Sequence, residues 1–164
     1  MSLISLSPIG TIRTPFTDIA NMPIQPRGAI GVRGTIEILP EFVPGLADLA
    51  EFSHIFVIYH LHQAPPAQLR VVPFLDSREH GIFSTRSPAR PNPVGISVWR
   101  LRGIRGASLD VENVDVLDLT PLIDIKPFVP DFDCWDVESI GWLSTSSRAA
   151  GNTRSDGRFR NDRG

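Results

Sequence analysis

Along the chain, apolar positions come in short runs broken by proline and glycine, and in places they alternate with polar ones. Within Gly28–Leu39, Val32, Gly34, Ile36 and Ile38 fall on one parity and Arg33, Thr35 and Glu37 on the other, the period-two pattern of a half-buried strand. The run His54–Tyr59 is continuously apolar after its first residue and reads as a central, buried strand. Further strands are predicted over Ser7–Thr14, Ser53–Leu61, Leu69–Pro73, Val94–Ile104 and Leu109–Leu117. Only Pro44–Ala50, with proline near a helix start, and Asp136–Leu143, with a short face of Val137, Ile140 and Trp142, read as helical. Many short strands at roughly regular spacing predict a mainly β fold, a small closed or nearly closed β-barrel with a few short helices.

Length bounds this picture to one globular domain, expected over residues 1–143 of the 164. From Ser144 onward the composition shifts to Ser, Thr, Asn, Gly and Arg, with Phe159 the only large apolar residue, and 144–164 reads as a flexible, Arg-rich tail. The formal net charge is −2, but residues 144–164 hold five of the fifteen arginines (Arg148, Arg154, Arg158, Arg160 and Arg163) against two aspartates. Such a tail either adds phosphate contacts to an RNA or is merely solvated, and composition leaves both open. No run has the length of a membrane span and no signal peptide is recognisable, so a cytoplasmic location is expected. Cys134, the single cysteine, has no partner for a disulfide or a zinc knuckle.

Four stretches carry more polar and conformationally special residues than a barrel needs in order to fold. They are Met22–Gly28, which presents Gln25, Pro26 and Arg27; Tyr59–Gln63, with His60 and His62; Gly81–Gly95, with Arg86, Arg90 and Asn92; and Asp115–Phe128, where Asp115, Asp118 and Asp124 punctuate apolar residues. A carboxylate among such neighbours needs a partner, and Lys126 or a loop arginine is the natural one. His60, His62 and His80 offer a metal-dependent hydrolase as one alternative, although two histidines two apart without a spaced carboxylate are a weak ligand signature. A non-catalytic RNA- or nucleotide-binding barrel is another. It would expose aromatics beside basic residues, whereas this chain has one tyrosine and its nine phenylalanines sit mostly in apolar or proline-rich settings.

Taken in order, the segment Ile9–Phe16, the segment from Gly45 to His54, the His62-Gln63 pair, the blocks Phe83–Ser87 and Arg90–Gly95, and the block Asp124–Pro127 resemble the TrmO (YaeB/TsaA-like) family. The resemblance runs from about Ile9 to about Phe132 and is to the short, archaeal-like members without a further C-terminal domain. It implies a β-barrel that binds S-adenosyl-L-methionine (SAM), works as a homodimer with cofactor near the subunit interface, and methylates N6 of threonylcarbamoyladenosine at position 37 of tRNA. Carried over by position, the cofactor contacts are Gln25, Pro26, Arg27, His62, Gln63, Arg86, Ile96, Asp115 and Asp118. Arg90, Asn92 and Lys126 are the expected substrate contacts, and no metal is expected. The nucleophilic nitrogen of such a nucleoside is urea-like and weakly basic, so a base is required, and His62 and Asp118 are the candidates. Where the family has Asp-Gly-Thr-Pro, this chain has Asp118-Leu119-Thr120-Pro121.

Overall fold

The structure, a computed structural model, describes residues 3–160. Eight strands form: β1 (Gly10–Arg13), β2 (Arg33–Ile38), β3 (His54–His60), β4 (Arg70–Val71), β5 (His80–Gly81), β6 (Val94–Arg105), β7 (Ser108–Glu112) and β8 (Thr120–Pro127). Six of them close a barrel in the order β1-β2-β7-β6-β3-β8, every neighbouring pair antiparallel. Closure leaves no free edge, which is how a sheet this small avoids exposing unpaired backbone groups.

Alternation fills the interior. Ile55, Val57 and Tyr59 of β3 point inward beside Trp99 and Leu101 of β6, Leu109 and Val111 of β7, Ile36 and Ile38 of β2, Ile12 of β1 and Leu122 of β8, all buried. The run His54–Tyr59 is therefore a barrel wall with one outer face, because Phe56 and Ile58 are only half-buried. Leu69–Pro73 shortens to β4, which pairs with β5 in a separate two-stranded ribbon. β8 is a strand that the apolar pattern left unread: Asp124 and Lys126 interrupt its parity, and the chain bulges against β3 between Ile58 and Tyr59.

Neither predicted helix forms. Pro44 and Gly45 restrict Pro44–Ala50 to parts of two 3-10 turns, Pro40–Leu46 and Leu49–Glu51. Asp136–Leu143 stays irregular: Val137 and Ile140 find nothing to cover them, and Gly141 turns the chain at φ 58° into a 3-10 turn, Gly141–Ser144. Among the described residues the one α-helix, α1 (Pro130–Asp133), is a single turn. Among the described residues no helix is long and apolar enough to cross a membrane.

The segment read as a flexible tail is laid against the rest of the chain over 144–160. It folds into 3-10 turns at Ser147–Gly151 and Gly157–Phe159, and Phe159 is buried with Val71, Ile82 and Ala89. Composition missed this because one well-placed aromatic, with backbone hydrogen bonds to the first loop, anchors a segment that is otherwise polar. Residues 161–164, and with them Arg163, lie outside the described residues.

Candidate active site

Strand order brings the polar stretches to one end of the barrel. The first loop ends in a 3-10 turn, Pro26–Gly28, which proline begins and which presents Gln25 just before it. Gln25 reaches the third loop, where its Oε1 accepts a hydrogen bond from Arg86 Nη1 at 2.9 Å. The second loop leaves β3 at His60 and is tied to the third through Leu61 N–H on the Pro93 carbonyl, 2.8 Å, and Gln68 N–H on the Ala89 carbonyl, 3.0 Å.

The third loop is shaped by Arg90. Its Nη1 donates to the carbonyls of Ile82, Thr85 and Ser87, the closest at 2.8 Å, and its guanidinium lies 5.9 Å from the Phe83 ring centre. The residue expected to meet substrate thus has donors committed to holding its own loop, while Arg86 projects outward, exposed. Asn92 and Gln63 are exposed, and Arg27 is exposed with no ion pair among the described residues.

The fourth stretch divides into two structural roles. Asp115 enters the barrel mouth half-buried, and its Oδ1 accepts from Trp99 Nε1 and Ser97 Oγ, both at 2.9 Å. Ser97 has one hydroxyl proton and gives it to Asp115, so the 3.0 Å contact between Tyr59 and Ser97 must be a donation from Tyr59. The relay Tyr59–Ser97–Asp115 runs from the barrel core to the mouth. Burial pushes the Asp115 carboxyl up to about 6, against the pull of its hydrogen bonds to Trp99 and Ser97 and of the Arg86 charge. Burial also raises the Tyr59 phenol, with the Asp115 charge adding to the effect, so Tyr59 stays a donor. Gly95 makes room for this relay, since a Cβ there would sit 2.2 Å from the Tyr59 ring. Tyr59, Ser97 and Trp99 are the residues around Asp115 in the candidate site that sequence reasoning missed. The available signal was their common inward parity with the polar Ser97 among them.

Asp118 does something else. Its Oδ1 accepts from Thr14 N–H at 3.1 Å, its Oδ2 is 3.6 Å from Arg13 Nη1, and its own N–H donates to the Phe16 carbonyl at 2.7 Å. It pins the turn before β8 to the end of β1. The next residue, Leu119, is left-handed at φ 63°, the conformation the family's glycine would take without strain, so the turn survives the replacement.

His62 is half-buried in the turn after β3; desolvation, and then the neighbouring His60, hold its imidazole below the usual histidine range, so it is neutral near pH 7. Ile96 stands on the outer wall, 55% exposed, beside Val94 at 38%. Lys126 does not join the cluster. It pairs with Asp124 at 2.8 Å on the outer face of β8, opposite Phe56, four residues along β3 from His60. His80 is likewise elsewhere, bonded to Asp76 at 2.9 Å and stacked on Trp142. Among the described residues no three His, Cys, Asp or Glu side chains gather as metal ligands would.

Residues 11–134 match the family model described as the tRNA-methyltransferase O N-terminal domain. Over 157 residues the chain is 48% identical to a Pyrococcus abyssi protein named "Probable S-adenosyl-L-methionine-binding protein", covering 96% of this chain and 85% of that one. It is 33% identical over 135 residues to the mouse (Mus musculus) tRNA (adenine(37)-N6)-methyltransferase, covering 77% of this chain and 31% of the mouse protein. The crystal structure of TrmO from Pseudomonas aeruginosa superposes with a TM-score of 0.72 at 38% identity, covering 86% of this chain; the chain spans 63% of the length of that one. With three quarters of its length matched by the family model and the fold matched by the solved structure, the chain belongs to the TrmO family.

Proposed function

We propose that this chain binds SAM in the mouth formed by Gln25, Arg86 and Asp115 and methylates N6 of threonylcarbamoyladenosine at position 37 of tRNA. The observation that carries the reading is the convergence of an outward guanidinium and a half-buried carboxylate at one barrel end. Those groups fit a zwitterionic amino acid: Arg86 suits its carboxylate, and Asp115 its ammonium or ribose hydroxyls. SAM, when bound, supplies a methyl group on a sulfonium whose leaving sulfur takes the bonding electron pair.

What the chain's own residues contribute is alignment and proton removal. The attacking nitrogen forms its bond to carbon while losing its proton, and His62, neutral at physiological pH, is the base that fits. Asp118, engaged by Thr14 and Arg13, positions the strap that carries Asp115. The exposed apolar wall at Val94 and Ile96 supports a homodimer in which a second copy covers it. A cytoplasmic enzyme acting on tRNA accords with these parts.

Calorimetric titration of SAM into purified, metal-free protein should show saturable binding, and the protein should methylate tRNA that carries the threonylcarbamoyl group but not tRNA that lacks it. A well-folded dimer that does not bind SAM would overturn the reading. Methylation of unmodified tRNA at an equal rate would replace the substrate and keep the chemistry.

A further inference from the structure

The C-terminal segment, which lies beyond the residues the family model matches, touches two of the loops that carry cofactor candidates, the first and the third. Ser155 alone makes four hydrogen bonds to the first loop. Its N–H donates to the Met22 carbonyl (2.9 Å), its carbonyl accepts from Asn21 N–H (2.8 Å), and its Oγ accepts from Met22 N–H (2.9 Å) and donates to the Ile19 carbonyl. Pro23 and Arg154 form a bridge, and Arg160 pairs with Asp18. At Gly28 the two segments come so close that a Cβ would sit 3.2 Å from the Gly151 carbonyl oxygen.

A few residues on, the same segment grips the third loop. Phe159, 7% exposed, inserts among Val71, Ile82 and Ala89 and meets the Phe74 ring edge-on at 5.1 Å. Arg158 lies over the Phe74 ring, 5.0 Å from its centre, and donates to the Pro73 carbonyl at 2.9 Å. Trp142, before the turns, donates to the Ser84 carbonyl at 2.9 Å.

Neither loop has a barrel ladder to hold it, and their direct contact is the exposed bond between Arg86 and Gln25. We propose that residues 144–160 are a clamp, with Ser155 and Phe159 as positioning residues that set the first and third loops at the spacing the cofactor requires. The inference rests on the reading of those loops as the SAM site. It also gives these arginines partners within the chain: Arg158 and Arg160 pair with Asp156 and Asp18, and Arg154 lies against the Gly151 and Thr153 carbonyls.

A ligand that needs both loops in place binds with an apparent affinity scaled by the fraction of molecules that have them so. In the full-length chain, Phe159→Ala should therefore weaken SAM binding about tenfold if the competent fraction falls to about a tenth. Hydrogen exchange should quicken at 18–28 and 82–90 while β3 and β6 keep their protection, and Phe159→Leu should restore most of both. Ser155→Ala should act in the same direction on the first loop alone, and it carries the test if Phe159→Ala fails to fold. The salt dependence of tRNA binding should stay as in the wild type. Wild-type exchange in both loops and unchanged SAM affinity in Phe159→Ala would overturn the clamp, as would a flattened salt dependence with SAM affinity intact. If the wild type binds no SAM, the cofactor reading fails, and hydrogen exchange still decides the clamp by itself.

Discussion

The barrel and the loop lobe at its mouth keep their shapes by different means. In the barrel, thirteen buried residues pack in one cluster, and the strands around them satisfy one another's backbone groups in a closed ladder. In the lobe, four buried residues, Val71, Ile82, Ala89 and Phe159, form a separate small core, and much of the backbone is held by side chains, such as Arg90 on three carbonyls and Ser155 on two residues of the first loop. Burial is non-directional and tolerates some variation in what fills it, whereas each lobe contact depends on one particular donor. The site sits where the two meet: Asp115 is fixed by barrel residues Trp99 and Ser97, while Gln25 and Arg86 belong to the lobe. Barrel and lobe are thus separable in this chain, and substitutions should affect them differently.

Trp99→Ala attacks the barrel at its largest fully buried side chain and removes a donor to Asp115. We expect a loss of about 3–5 kcal/mol in denaturant unfolding, the usual cost of truncating a buried tryptophan. If the loss stays below about 1 kcal/mol, the barrel is not the robust partner of the pair.

Asp115→Asn tests the seam between them through pH. The folded carboxyl is raised to about 6 from 3.8, so between about pH 4 and 6 the native state holds a proton that the unfolded state has released. Stability therefore falls as pH rises through this window, and the cost, up to about 3 kcal/mol, is present in full above it. Asparagine retains an acceptor for Trp99 and cannot ionise. Melting curves from pH 4 to 8 should show a wild-type decline that the variant lacks, together with weakened SAM binding at pH 7.5. Parallel pH profiles for the two proteins would mean that Asp115 is solvated like a surface carboxylate.

Arg86→Ala should touch only the lobe's function. Its guanidinium is exposed and its hydrogen bond to Gln25 is a surface one, so the melting temperature should move little. SAM affinity should fall by about 1.5–3 kcal/mol, the worth of a charge-assisted contact. Unchanged affinity with a lowered melting temperature would make Arg86 a structural arginine like Arg90. The smallest effect is expected at Leu119→Gly, which relieves a left-handed leucine at φ 63° and should raise stability by roughly 0.5–1 kcal/mol. A melting temperature that falls would show that the half-exposed leucine side chain is itself packed against something that matters more than its backbone.

Much of this was legible from one dimension. Alternation located β2, a continuous apolar run located β3, short apolar runs located β1, β6 and β7, and proline and glycine marked the loops, because strand parity and turn chemistry act over a few residues. The resemblance to TrmO, carried by blocks such as His62-Gln63, Phe83–Ser87 and Arg90–Gly95, pointed to the family to which the chain belongs. What the linear pattern did not contain was pairing between distant positions. Asp115 and Asp118 stand three apart and look alike in sequence; the fold gives one a buried tryptophan and serine as donors and the other a backbone N–H and Arg13. Lys126 looked like a site cation, yet strand register turns it to the outer wall beside Asp124. The last segment read as free chain because composition counts apolar residues without knowing where the single one, Phe159, will land. Local pattern therefore determined the strands and the candidate stretches. Long-range register and packing decided which polar groups meet, since that depends on contacts between residues as many as 142 positions apart.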